Sequence, residues 1–315
     1  MSSIGLVVDA TCDLPSDFVR EHGVSVMPIS VRAGQHTLVD TRDDARTLAH
    51  YARLAPTDAD DIHSEPLDPA GVERFVREEI VPLHDHVFCL TITSARSKIY
   101  DNSTRASFSI NAQGRALCAE HGRNGRFAMA VISSQSMFGG QAVMASEIAR
   151  LIGQDASARD IDERIRALAA HTHCYMVPPS LHYMYRQASQ RGDKSVSWGS
   201  FTFGTMLDVK PVLHCHRDQT GPVDKVRGFE HGVERMFGRV ARQIREGLLV
   251  PTVCVSIGGD PATLDTIPSF VDMLHAARDC GVEVLRAVMS AASGTKVGPG
   301  CISVGFVADN HRYAT

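Results

Sequence analysis

Short apolar runs of about six residues recur along this chain, and stretches of helical period separate most of them. The runs at residues 4–9, 26–31, 87–92 and 127–132 read as strands buried on both faces. Between and beside them, residues 15–22, 43–55, 69–81, 97–121 and 140–152 read as helices. Strands separated by helices predict parallel pairing in a covered α/β sheet. The plainest helix spans 157–170: Ser157 caps it, Asp160 stands three residues on, and Ile161, Ile165 and Leu168 share one face.

Beyond Ala170 the texture changes. Strands are predicted at 173–177, 209–214, 223–227, 252–257, 282–288 and 301–308. A long helix covers 228–246, and another opens with Asp260 as cap and Pro261 as first residue. Residues 191–205, rich in Gly, Ser, Thr and aromatics, take no assignment. A chain of 315 residues suits two middling domains, and the boundary is expected near Ala170, giving units 1–170 and 171–315.

Composition narrows the function. The chain is 43% hydrophobic and 22% charged with a net charge of −4, and no segment gathers Lys or Arg, which argues against a nucleic-acid surface. The N-terminus enters a strand-like run without a basic region or cleavage site, and no apolar stretch approaches the ~18 residues that span a bilayer. The eight cysteines are scattered, with no Cys-x-x-Cys pair. A soluble, reduced, cytoplasmic protein is the expectation.

Two turns carry the candidate chemistry. Thr93-Ser94-Ala95-Arg96-Ser97 follows the strand at 87–92, where side-chain hydroxyls and the unpaired N–H groups of a helix start can receive an anion. Ser94 or Ser97 would equally serve as an ordinary helix cap. Gly294-Thr295-Lys296-Val297-Gly298-Pro299-Gly300 offers a cation between glycines, either as part of a carboxylate pocket or as a plain tight connection. Asp9 ends the first strand, where α/β proteins keep ligands, and Asp13 reads as a cap before the next helix. His84-x-His86, His171-x-His173 and His214-x-His216 each put two imidazoles on one face of an extended chain. Carboxylates do not accompany them at regular spacing, so no metal is expected. Gly192-Asp193-Lys194-Ser195 lacks the upstream glycine of a phosphate loop, and neither Gly-x-Ser-x-Gly nor Gly-x-Gly-x-x-Gly occurs.

In order, these pieces resemble the DegV family of bacterial fatty-acid-binding proteins. Asp9-Ala10-Thr11-Cys12-Asp13-Leu14-Pro15 is similar to the family's opening. Val26-Met27-Pro28-Ile29, Asp40 and Ser64-Glu65-Pro66 fit its next strand and loops. The hydroxyl turn with Tyr100, Leu207-Asp208-Val209-Lys210-Pro211-Val212-Leu213, Val226-Arg227 and the Lys296 segment complete the set. The resemblance implies a two-domain α/β fold, an N-terminal parallel-sheet domain and a C-terminal domain with a mixed sheet. It implies a fatty acid between the domains, its carboxylate held at Thr93, Ser94 and Lys296, with Ser97 and His63 as weaker additions. It also implies a carrier rather than a catalyst, which presents the carboxylate to a partner kinase; Arg227 is either a distant addition to the head-group site or a residue facing that partner. Transient contact with a membrane surface is compatible, and no cofactor is expected.

Three departures stand out. His63 replaces the family's threonine, Lys296 replaces its usual histidine, and its Gly-Gly-Arg segment has no clear counterpart near Arg191 to Ser195. The rival reading is an enzyme acting on a small carboxylate or acyl-phosphate, with Asp9 or His63 as base and the same turn as anion hole. A third is a regulatory scaffold with a degenerate pocket.

Overall fold

The computed structural model describes residues 3–33, 36–54, 62–181, 183–184, 209–309 and 311. The unassigned stretch 191–205, the Gly192–Ser195 segment and the Leu207-Asp208 pair lie outside these residues.

Four of the predicted runs form a parallel sheet: β1 (Ile4–Asp9), β2 (Ser25–Met27), β6 (His86–Thr91) and β7 (Ala128–Ser133), in the order β2-β1-β6-β7. The run predicted as one strand at 26–31 divides at Pro28, whose missing N–H interrupts a ladder. Its second part, β3 (Ile29–Ala33), leaves the parallel sheet and centres a three-stranded antiparallel one, between β4 (His36–Asp40) and β5 (Ile62–Pro66). Neither β4 nor β5 announces itself in the sequence. Their five-residue stretches, His-Thr-Leu-Val-Asp and Ile-His-Ser-Glu-Pro, are mostly polar and cover one small face.

Helices α1 (Ser16–Glu21), α2 (Asp44–Tyr51) and α3 (Pro69–Phe75, continued by a π-helical turn Val76–Ile80) follow the pattern. The helix expected over 97–121 is broken into α4 (Ile99–Ala112) and α5 (Gly114–Glu120). The break has a packing cause: a Cβ on Gly114 would lie 2.2 Å from the Phe127 carbonyl oxygen, so the chain must bend to bring these backbones together. The helix α7 (Ala158–Ala169) is capped as its sequence indicates, the Ser157 hydroxyl accepting from the Asp160 N–H at 3.1 Å, and Ile161, Ile165 and Leu168 are buried.

The second half builds a mixed six-stranded sheet from β8 (Thr172–Val177), β9 (Val209–His216), β10 (Gln219–Arg227), β11 (Thr252–Ile257), β12 (Glu283–Val288) and β13 (Ile302–Val307), in the order β10-β9-β8-β13-β11-β12. Only β11 and β12 pair in parallel. Helices α8 (Phe229–Glu246) and α9 (Pro268–Asp279) cover one face.

The helix α6 (Gly139–Gly153) lies between the two large sheets, touching β1 and β6 on one side and β8, β11 and β13 on the other. It is buried from Gly139 to Ala149. Backbones nearly touch there: a Cβ on Gly305 of β13 would stand 2.1 Å from the Gly139 carbonyl carbon.

Candidate functional site

The carboxyl ends of β1, β6 and β7 gather beneath the start of α6, and Asp9 ties the first two to that helix. Its side chain accepts from the Thr11 N–H (2.9 Å), the Ile92 N–H (2.7 Å), the Gln141 amide (3.0 Å) and the Thr11 hydroxyl. Burial pushes its pKa upward, against these hydrogen bonds. Both oxygens are taken by protein donors that shape the turn after β6, a positioning role that leaves the carboxylate little to offer a substrate.

That turn is the hydroxyl-rich segment. Thr93 is buried; its N–H donates to the Ser136 carbonyl at 2.9 Å and its hydroxyl to the Asp218 carboxylate at 2.5 Å. Asp218 sits at the tip of the β9–β10 hairpin, where Arg217 (φ 49°) and Asp218 (φ 64°) are both left-handed, as a two-residue hairpin turn requires. Its own N–H reaches the Gln135 carbonyl at 3.1 Å. The turn therefore touches both halves of the molecule. Ser94 is exposed on it, and Ser97 is half-buried, its hydroxyl accepting from the Ile99 N–H at 3.3 Å as a helix-start cap. The helix begins at Ile99, two residues later than its sequence suggests.

The Lys296 segment is not a turn. Residues Ala291–Val297 form a short helix, α10, and only Gly298 (φ 92°) and Gly300 (φ 77°) make the turn. Ser290 caps α10, accepting from the Ser293 N–H at 3.0 Å, a signal present in the sequence as Ser-x-x-Ser. Gly294 is there for packing rather than turning: a Cβ would lie 1.8 Å from the Tyr51 hydroxyl oxygen.

Carboxylates of the first half hold the start of this helix. Asp40 accepts from the Ala292 N–H at 2.9 Å and Asp13 from the Ser290 N–H at 2.9 Å, a favourable place for negative charge. Asp13 is thus not the cap of α1, which starts after Pro15 with no side-chain cap. It also accepts from the Ser256 hydroxyl (2.6 Å) and stands 3.4 Å from the Arg42 guanidinium. Arg42, equally buried, donates to the Leu14 and Val288 carbonyls at 2.7 and 2.8 Å, and the Tyr51 hydroxyl is shared between those of Met289 and Ser290. Burial raises the Asp13 pKa to about 6, with Arg42 and the hydrogen bonds pulling the other way.

One apolar cluster joins the two candidate turns. It contains Ile92 and Ile99 beside the hydroxyl turn, Met289, Ala292, Val297 and Cys301 around α10, and Met176, Leu213 and Cys215 from the large sheet. Lys296 is half-buried in the last turn of α10, which packs on β3 and β5. His63 lies on β5 but is exposed, opposite Arg32; alternation turns Ser64, opposite the buried Val31, to the inner side instead. Thr93, Ser94 and Ser97 therefore share one turn, Lys296 adjoins the same apolar cluster, and His63 stands apart from it. Arg227 is exposed at the end of β10, bordering an open cleft of about 1280 Å³ between β10, α8 and the start of α9.

Seven of the eight cysteines are buried free thiols. Burial pushes Cys89 up to about 12 and Cys215 to about 11, so both remain protonated and unreactive at neutral pH. No helix among the described residues is long and apolar enough to cross a membrane.

A family model described as "Uncharacterised protein, DegV family" matches residues 3–309. A DegV domain-containing protein of Xanthomonas axonopodis pv. citri is 40% identical over 311 residues, covering 99% of each chain. The crystal structure of a DegV lipid binding protein from Thermotoga maritima superposes with a TM-score of 0.74 at 16% identity, over 98% of this chain and 100% of that one. That of DegV from Bacillus subtilis, a fatty acid binding protein, does so with a TM-score of 0.74 at 18% identity and the same coverage.

Proposed function

This chain belongs to the DegV family, and from that premise we propose that it carries a long-chain fatty acid between its two halves. The observation that supports this most is the apolar cluster continuous from the hydroxyl turn to the Lys296 helix, which sets polar groups at the edge of a hydrocarbon environment. Ser94 would hold the carboxylate, with Lys296 as the cation and Ser97 at the margin, while Thr93, whose hydroxyl donates to Asp218, would position the turn rather than donate to the ligand. Ser64, on the inner side of β5, replaces His63 in this scheme.

Magnitudes divide the work. At ~0.8 kcal/mol per buried CH2, a sixteen-carbon chain offers on the order of 12 kcal/mol before ordering costs. Each charge-assisted hydrogen bond at the head group adds about 1.5–3 kcal/mol. The tail supplies affinity and the turn supplies orientation. In our reading the chain is a cytoplasmic carrier without a cofactor, and a partner kinase acts on the presented carboxylate. The exposed Arg227, beside its open cleft, is a suitable contact for such a partner. The rival enzyme reading finds little support at Asp9, whose oxygens already accept four hydrogen bonds.

Organic-solvent extraction of the purified protein followed by mass spectrometry tests the proposal. About one fatty acid per chain is expected, with a sharply reduced yield in Ser94→Ala. A wild-type extract without fatty acid, from protein that also fails to take up added palmitate, would overturn it.

A further inference from the structure

Three histidines on adjacent strands of the six-stranded sheet converge on the face away from the apolar cluster. The β8–β9 register sets Cys174 against Cys215 and Tyr175 against His214, so continuing the ladder brings His173 beside His216. Cys174, Cys215, Met176 and Leu213 belong to the apolar cluster on one face; His173, Tyr175, His214 and His216 alternate onto the other. The rings of His173 and His216 stack with centroids 4.2 Å apart, and His173 Nδ1 lies 3.0 Å from His214 Nε2. One ring nitrogen from each of the three histidines falls within 4.8 Å of the others.

We propose that His173, His214 and His216 bind one divalent transition-metal ion of the zinc class. The strand geometry is the first support: His-x-His on β9 and a single His on β8 present three imidazoles from one rigid surface. The second is orientation. His216 Nδ1 is hydrogen-bonded to the Thr172 carbonyl at 3.0 Å, which fixes the tautomer and leaves Nε2 as the ligand atom.

An all-imidazole set selects zinc, cobalt, nickel or copper over magnesium and calcium, which take oxygen ligands. Tetrahedral zinc at ~2.0–2.1 Å from each nitrogen needs nitrogens ~3.4 Å apart. The three rings lie nearly parallel here, so binding requires rings to tilt out of the stack until their nitrogens converge at that spacing. His311 stands edge-on to His173 at 4.8 Å with both nitrogens engaged, by Gln243 and by the Tyr175 hydroxyl at 2.6 Å, and is a neighbour rather than a ligand. Sequence spacing alone sets these histidines aside, because only folding joins His173 to the 214–216 pair.

The test uses the full chain, stripped with chelator and dialysed against micromolar Zn2+ or Co2+. One ion per chain is expected, with the intense visible absorption of four-coordinate cobalt. His216→Ala should weaken binding by roughly 100-fold or more, by analogy with losses on removing supporting groups alone. His171→Ala, a half-exposed histidine beside the patch that pairs with Asp309, should leave it unchanged. Circular dichroism in chelator checks the fold of each variant, and His214→Gln replaces any that fails. No stoichiometric ion in the wild type, a six-coordinate cobalt spectrum, or full retention in folded His216→Ala or His214→Gln would overturn the proposal. None of these outcomes touches the fatty-acid reading, which concerns the other face of the sheet.

Discussion

Replacing Asp13 by alanine strikes the joint between the two halves. The side chain is fully buried, receives the Ser290 N–H and the Ser256 hydroxyl, and faces a guanidinium that is buried as well. Alanine leaves Arg42 charged without its carboxylate and removes the acceptor from two buried donors. Breaking a buried pair from one side costs about 3–5 kcal/mol, because the surviving charge cannot recover its hydration. Asn keeps the shape and an acceptor, so Asp13→Asn should cost less, about 1–3 kcal/mol. Arg42→Met loses the donors to the Leu14 and Val288 carbonyls, yet combined with Asp13→Asn it should destabilise by less than the two single changes added. Urea denaturation followed by circular dichroism measures all of these. A cost below about 1 kcal/mol for Asp13→Ala would mean that water reaches this carboxylate, and the reasoning from burial would fail.

Asp13 also predicts a pH dependence with a definite sign. A folded pKa of about 6 against an ordinary 3.8 means that the folded chain holds this proton more tightly than the unfolded chain. The stabilisation is complete below pH ~4 and is lost as pH rises through ~6, amounting to about 3 kcal/mol, and should be read as the difference between wild type and Asp13→Asn. Gly294→Ala should destabilise by about 1–3 kcal/mol through its clash with Tyr51, and Tyr51→Phe should recover part of that loss in thermal melts. Thr93→Val should loosen the β9–β10 hairpin tip by removing the bond to Asp218, at about 1–2 kcal/mol, seen as faster amide exchange at residues 217–219. With a lysine at the head group, palmitate affinity should stay flat between pH 6 and 8; a steep change there would count against Lys296 as the cation.

Much of the fold is legible in the sequence because long elements bury a regular face. The strands at 4–9, 87–92 and 252–257 and the helix capped by Ser157 carry period, caps and punctuation that agree. The three-stranded sheet is not, since β4 and β5 are short and largely polar and hold their place by pairing with β3 and by contacts with the distant α10. The glycines around Lys296 suggest a loop, whereas Gly294 answers to a tyrosine more than two hundred residues away. A similar distance hides Asp13: next to Pro15 it looks like a cap, and only the fold brings Ser256 and Ser290 to it, with Arg42 from nearer in the chain. Local pattern finds candidate side chains; long-range contact decides their partners.

The burial of α6 on both sides has a consequence for how the chain can be divided. A cut near residue 170 yields one product whose α6 presents a bare face that is normally buried, Gly139 and Gly140 among it, and another whose large sheet lacks its inner lining. Neither fragment should stay dissolved alone, yet the pair, expressed together, should reassemble into a single cooperative particle, as two pieces sharing one keystone.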